Sequence, residues 1–205
     1  MLLYVVTDRS WLGASRLEDQ VEDILRAGAT FLQIREKELD DAAFLKQTRK
    51  LKAIAARYQV PFVVNDNVDI ALAADADGVH VGQEDQNATE VRRRIGPDKI
   101  LGVSAQTVEQ ALRAQNQGAD YIGVGAVFST ATKSDAVEVR YGTLRAICDA
   151  VTIPVVAIGG IHAGNILALK GSGVDGVAVI SAILAAKDPA SATRTLLALA
   201  KEMVK

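Results

Sequence analysis

The stretch PFVVNDNVDIALAADADGVHVGQ, residues 61–83, places two short apolar runs, PFVVND and GVHVGQ, on either side of a helical start near Val68. A parallel strand is reached only through a crossover, so a strand, a helix and a second strand in so short a span read as one β-α-β unit. The same grammar continues in both directions. Strands are expected at LLYVVTD (2–8), TFLQIRE (30–36), ILGVSA (100–105), YIGVGAVF (121–128), PVVAIGG (154–160) and GVAVIS (176–181), making eight with the two above. RLEDQVEDILRAG, DDAAFLKQTRKLKAIAARYQ, TVEQALRAQNQG and ATRTLLALAKEMVK supply helices between or after them, several ending in Gly, as helix C termini commonly do. Strict alternation of this kind demands a parallel sheet covered by helices, and eight units predict a single-domain (β/α)8 TIM barrel over residues 1–205. Such barrels typically run to about 250 residues, which leaves little room for insertions. An open doubly wound sheet would carry a Gly-rich fingerprint after its first strand, where this chain reads VTDRSWLGAS.

Composition bounds the function. A chain of 205 residues, 49% hydrophobic and 23% charged, is that of a soluble globular protein with one sizeable core. The formal net charge of −2 and the lack of aromatics interleaved with basic clusters argue against nucleic-acid binding. The N-terminal MLLYVVTDRS has no basic region and carries Asp8, so it reads as a first strand and not as a signal peptide. Apolar runs are interrupted well before membrane-spanning length, and a cytoplasmic location without membrane partners follows by default. Exposed helical faces leave room for a homo-oligomer of unspecified symmetry. The lone Cys148 sits among aliphatic neighbours and reads as a structural thiol.

In a barrel, chemistry belongs at the C-terminal ends of the strands. There the sequence places Gln33, Arg35 and Lys37 after strand two, Asn65 and Asp66 after strand three, Glu84 and Asp85 after strand four, and Ser104 on strand five. STATK, with Thr130, Thr132 and Lys133, follows strand six, and GGI and ISAI follow strands seven and eight. Side chains alternate along a strand, so Gln33, Arg35 and Lys37 share one face while Leu32, Ile34 and Glu36 share the other. Two cations on an inward face repel each other unless an anion lies between them, and an Arg fork with a Lys point charge suits phosphate oxygens. Lys133 is positioned to close on the same anion.

Asp66 and Asp85 end adjacent strands, so their carboxylates can share a site in which a hard cation keeps both ionised. The competing role for each is to cap a following helix, near Val68 and near Asn87. Gly159 and Gly160 allow backbone N–H groups to approach a ligand, in a region where barrels commonly bind phosphate. His80, within GVHVG, reads as a barrel-interior residue with satisfied nitrogens, and the run Arg92 to Arg94 as a solvated helix face.

Taken together, YVVTD, LQIREK, VVNDNVDIALAADADGVHVGQED, GVSA, GADYIGVGAVFSTATK, PVVAIGGI and GVAVISAI resemble the thiamine phosphate synthase family, in its order and over nearly the whole chain. The resemblance implies a (β/α)8 barrel that joins a pyrimidine methyl diphosphate to a thiazole phosphate and releases pyrophosphate with Mg2+. It implies that Gln33, Ile34, Arg35, Glu36 and Lys37, with Asn65, Ser104 and Lys133, hold the pyrimidine and its diphosphate. By the same resemblance Asp66 and Asp85 bind Mg2+, and Thr130, Ala131, Thr132, Gly160, Ile180 and Ser181 hold the thiazole phosphate. Arg35, Ser104 and Lys133 would carry catalysis. Where the family often reads GPxFPTxTK, this chain has Ala126 and Ser129 in place of two prolines, which implies a less rigid loop, and the segment from Ser129 to Val137 is expected to close over ligand. Two other readings share the barrel: a thiazole tautomerase, which resembles the chain less around Gln33 and TATK, and a non-catalytic phosphate-binding barrel, which has no need of the Asp66 and Asp85 pair.

Overall fold

Eight parallel strands close on themselves in sequence order in the computed structural model, which describes residues 1–13, 15–129 and 138–205. They are β1 (Leu3–Val6), β2 (Phe31–Ile34), β3 (Phe62–Asn65), β4 (Gly78–Val81), β5 (Ile100–Ala105), β6 (Tyr121–Val124), β7 (Val155–Ile158) and β8 (Gly176–Val179). β1 pairs with β2 on one side and with β8 on the other, which completes the (β/α)8 barrel. The helices α1 (Leu17–Arg26), α2 (Asp41–Arg57), α3 (Val68–Ala73), α4 (Ala88–Ile95), α5 (Val108–Asn116) and α6 (Tyr141–Ala150) follow the first six strands. A short 3-10 helix, Ile166–Leu169, connects β7 to β8, and α7 (Ser181–Leu184) and α8 (Pro189–Met203) finish the ring. α8 starts three residues ahead of the expected ATRT, because the Asp188 carboxylate accepts from the Ser191 N–H and Pro189 occupies the first turn. Among the described residues no helix is long and apolar enough to cross a membrane.

Two faces divide the strand residues. Leu3, Val5, Leu32, Ile34, Val64, Leu101, Ile122 and Val177 point outward into the layer between barrel and helices. Tyr4, Val6, Phe31, Val63, Tyr121, Val156 and Ala178 fill the interior. Burying each such large apolar side chain contributes about 1.5–3 kcal/mol, so both faces of every strand lock its register. The strands are shorter than the apolar runs suggested. Their C-terminal residues peel away into the loops that carry the polar groups.

The opposite rim is tied by a repeated device that the sequence reading missed. A polar side chain just ahead of each even-numbered strand accepts the N–H at the start of the preceding odd one: Thr30 from Leu3, Asp77 from Phe62, Asp120 from Leu101 and Asp175 from Val155, at 2.7–2.9 Å. Arg92 belongs to the same rim. Its guanidinium reaches the carbonyls of Gly96, Lys99 and Gly118 and the carboxylate of Asp120, so it staples α4 to the starts of β5 and β6 and is no solvated charge. Arg93 pairs with Glu90 on the surface as a solvated face requires. Cys148 is half-buried, and burial pushes its thiol up to about 11, which leaves it protonated and inert.

Candidate active site at the C-terminal mouth of the barrel

β2 carries the alternation as far as the mouth. Phe31 and Gln33 face the interior, and Arg35 continues the same phase one step beyond the strand, half-buried, with its N–H bonded to Thr7 Oγ1 at 3.1 Å. Its guanidinium lies 3.3 Å from Asp8, whose other carboxylate oxygen accepts the Ser10 N–H and so is held in place. Lys37 departs from the expected inward direction. The strand ends at Ile34 and the chain bends at residues 37–39, so the alternation has lapsed by Lys37, which stands exposed in the loop. Glu36 turns toward β1: both oxygens of its buried carboxylate accept the Arg9 Nε–H at 2.8 Å, and Ile34 is fully buried on the outer face. Glu36 therefore anchors the loop after β2 to Arg9, and Ile34 turns its side chain into the layer between barrel and helices.

The two carboxylates meet. Asp66 follows β3 in the left-handed region at φ 60, a conformation that Asp and Asn tolerate better than most residues, and its N–H is held by the His80 carbonyl at 2.8 Å. The helix caps that might have occupied this pair belong to their neighbours: Asn67 accepts from Ile70 N–H and Asn87 from Thr89 N–H. Asp85 instead accepts the Gly82 N–H at 2.6 Å, folding its loop back toward Asp66. Asp66 as a residue reaches solvent, yet its carboxyl end is packed against Asn65 and Asp85. That desolvation, and then the hydrogen bond and charge of Asp85, push its pKa up to about 7, partly offset by the Asn65 amide at 2.6 Å and by the charge of Arg35. Arg35, Asp66 and Asp85 thus sense one another in one place.

Below them the barrel floor is a continuous chain of hydrogen bonds. Gln33 Nε2 donates to Tyr4 Oη at 2.6 Å, the Tyr4 and Tyr121 hydroxyls are 2.9 Å apart, Tyr121 Oη is 2.8 Å from His80 Nδ1, and His80 Nε2 is 3.0 Å from Ser104 Oγ. His80 is an interior residue with both nitrogens satisfied, as its strand context suggested, and burial pushes it down to about 4, so it is neutral at physiological pH. Tyr4 and Tyr121 were not singled out in the sequence. The inward phase of YVV and YIGV was the available signal.

On the far side of the mouth, Gly159 and Gly160 adopt positive φ, and a Cβ on Gly160 would stand 2.3 Å from the Ser129 carbonyl. The close approach these glycines permit is to the segment after β6. Asn165 holds the Gly160 carbonyl at 2.9 Å. Ile180 precedes α7, which begins at the exposed Ser181 without a side-chain cap. Thr130, Ala131, Thr132 and Lys133, and the expected closure of the segment they begin, lie outside the described residues.

The two acidic groups suit a hard cation. Among the described residues no cluster of three or more His, Cys, Asp or Glu side chains forms a cage for a metal. Two carboxylates, one with its pKa raised by desolvation and then by its neighbour, and an arginine alongside have the donor chemistry for a hard cation whose remaining ligands are phosphate and water oxygens.

The chain matches the family described as thiamine monophosphate synthase over residues 3–183. A thiamine-phosphate synthase from Ruminiclostridium cellulolyticum is 51% identical over 195 residues, which cover 95% of this chain and 93% of that protein. Another from Clostridioides difficile is 50% identical over 186 residues, covering 91% and 89%. Among solved structures, a thiamine phosphate pyrophosphorylase from Pyrococcus furiosus superposes with a TM-score of 0.92 at 40% identity, over 100% of this chain and 97% of that one.

Proposed function

The chain belongs to the thiamine monophosphate synthase family, and from that premise we propose how its barrel mouth performs the condensation. The reaction joins 4-amino-2-methyl-5-(diphosphooxymethyl)pyrimidine to a thiazole phosphate and gives thiamine phosphate and pyrophosphate. The C–O bond to the diphosphate breaks with its electron pair leaving on pyrophosphate, and the thiazole nitrogen lone pair forms the new C–N bond to the pyrimidine methyl cation. That nitrogen carries no proton, so no general base is required. The observation that carries the proposal is the convergence of Arg35, Asp66 and Asp85 at one end of the barrel.

Asp66 and Asp85 would hold Mg2+. Mg2+ bound there would supply positive charge against the charge growing on the departing pyrophosphate. Arg35 would exchange its contact with Asp8 for a diphosphate oxygen, and Asn65 would hold another. Gln33 and Ser104 would orient the pyrimidine ring on the barrel floor, and Lys37, in the exposed loop after β2, would screen the outer phosphate. Lys133, which follows β6 in sequence, would stabilise the leaving group in the transition state. Thr130 to Thr132, the backbone at Gly160, and Ile180 with Ser181 would take the thiazole phosphate. A hydrogen bond to a charged group contributes about 1.5–3 kcal/mol, so a bond that strengthens only as the diphosphate leaves is worth tenfold or more in rate.

The test mixes both substrates with Mg2+ and follows thiamine phosphate. Lys133→Ala is expected to lower kcat at least tenfold with an unchanged melting temperature, and near-normal turnover would refute its role. A tautomerase would instead isomerise the thiazole carboxylate phosphate and release no pyrophosphate.

A further inference from the structure

We infer that the buried chain Tyr4–Tyr121–His80 is a positioning relay: it sets the donor and acceptor directions that Gln33 and Ser104 present to the mouth, and so selects an amino group over an oxo group on the pyrimidine. The inference rests on the substrate reading above and deepens it.

With the Gln33 amide turned Nε2 toward Tyr4, hydrogen counting sets the direction of the relay. Each tyrosine hydroxyl has one proton and a neutral imidazole has one N–H. With Gln33 Nε2 donating to Tyr4, the Tyr4 proton must go to Tyr121, the Tyr121 proton to His80 Nδ1, and the His80 proton, then on Nε2, to Ser104. The outer ends are thereby determined. Gln33 keeps its carbonyl Oε1, which has no partner among the described residues, and the half-exposed Ser104 keeps its hydroxyl proton for a ligand. An imidazolium at His80 would donate at both nitrogens and strand the Tyr4 proton between two donors. In this direction every proton points from β2 toward β5, which neighbours the strand leading to Asp85, whose negative charge reaches His80.

The barrel makes room for these rings specifically. A Cβ on Gly102 would lie 2.2 Å from the Tyr121 ring and 2.5 Å from His80 Nδ1, and one on Gly123 would press on His80 at 3.2 Å. Tyr121 is also clamped edge-on by Tyr4 and Phe31, with ring centroids 6.0 and 5.6 Å away.

An aminopyrimidine donates through its amino group and accepts through its ring nitrogens, which complements an acceptor at Gln33 and a donor at Ser104. An oxo group in the amino position sets two acceptors face to face. Gln33 cannot turn its amide to relieve this without reversing every bond as far as Ser104 and shifting the His80 tautomer. A site with buried polar groups committed in this way rejects the mismatched ligand strongly.

The test has two arms. With only His80 and His162 in the chain, 15N NMR of the wild-type protein resolves the tautomer. Protonation at Nε2 of His80 is expected, and protonation at Nδ1 or at both nitrogens overturns the relay. In the second arm, Tyr121→Phe and Tyr4→Phe interrupt the chain at different points. The ratio of kcat/KM for the amino substrate to that for its 4-oxo analogue is expected to fall at least tenfold, and an unchanged ratio in either folded variant overturns the inference. Should neither variant fold, the wild-type tautomer decides. Wild-type protein that makes no thiamine phosphate contradicts the substrate reading alone, whatever the His80 tautomer.

Discussion

Asp66 is the residue at which local geometry and chemistry meet. Its left-handed backbone aims the carboxyl at Asp85, and the resulting crowding moves its pKa from 3.8 to about 7. The folded protein therefore holds a proton that the unfolded chain releases between about pH 4 and pH 7, so this group lowers stability as pH rises through that window and its penalty is complete above pH 7. Asp66→Asn keeps a residue that tolerates the left-handed backbone and removes the charge. Metal-free melts are expected to show the variant above wild type at pH 8 and level with it below pH 4. Mg2+ with pyrophosphate should raise the wild type at pH 8 and leave the variant where it was. A variant less stable than wild type at pH 8 would show that the pair is not repulsive.

At the scale of elements, the sequence disclosed the strands because their two periodicities are simple: apolar residues on both faces, punctuated by Gly and Pro at helix ends. It also disclosed Gln33 and Arg35, whose inward phase follows from Phe31 by alternation. Lys37 escaped that logic because the strand stops at Ile34 and a bend erases the phase. The partners of Arg35 and Glu36, Asp8 and Arg9, were illegible because they come from β1's loop, 27 residues away, and only register brings them together. The rim bonds from Thr30, Asp77, Asp120 and Asp175 were likewise hidden, though their recurrence ahead of every second strand was present as a pattern. Asp77→Ala leaves the Phe62 N–H without its acceptor at the rim opposite the site. The expected cost is about 1–3 kcal/mol of stability, read by denaturant melts, with kcat unchanged. A loss of kcat without a loss of stability would place Asp77 in the site's machinery and contradict the division between the two rims.

For the whole molecule, one end of the barrel carries its bracing and the other its chemistry. Packing fills the interior from the floor upward until the hydrogen-bond chain under Gln33 and Ser104, and above it the charges of Arg35, Asp66 and Asp85 gather around an opening. The account turns on these charges holding a diphosphate and a magnesium ion together. The most direct measurement is the thermal shift of wild-type protein with Mg2+, with pyrophosphate, and with both. Binding at a hundred times Kd adds about 2.7 kcal/mol, or roughly 5–11 °C for a chain of this size. That rise is expected only with both present, far beyond the sum of the separate shifts, and it should vanish in Asp85→Asn. An equal rise with pyrophosphate alone, or one that survives in Asp85→Asn, would contradict the account.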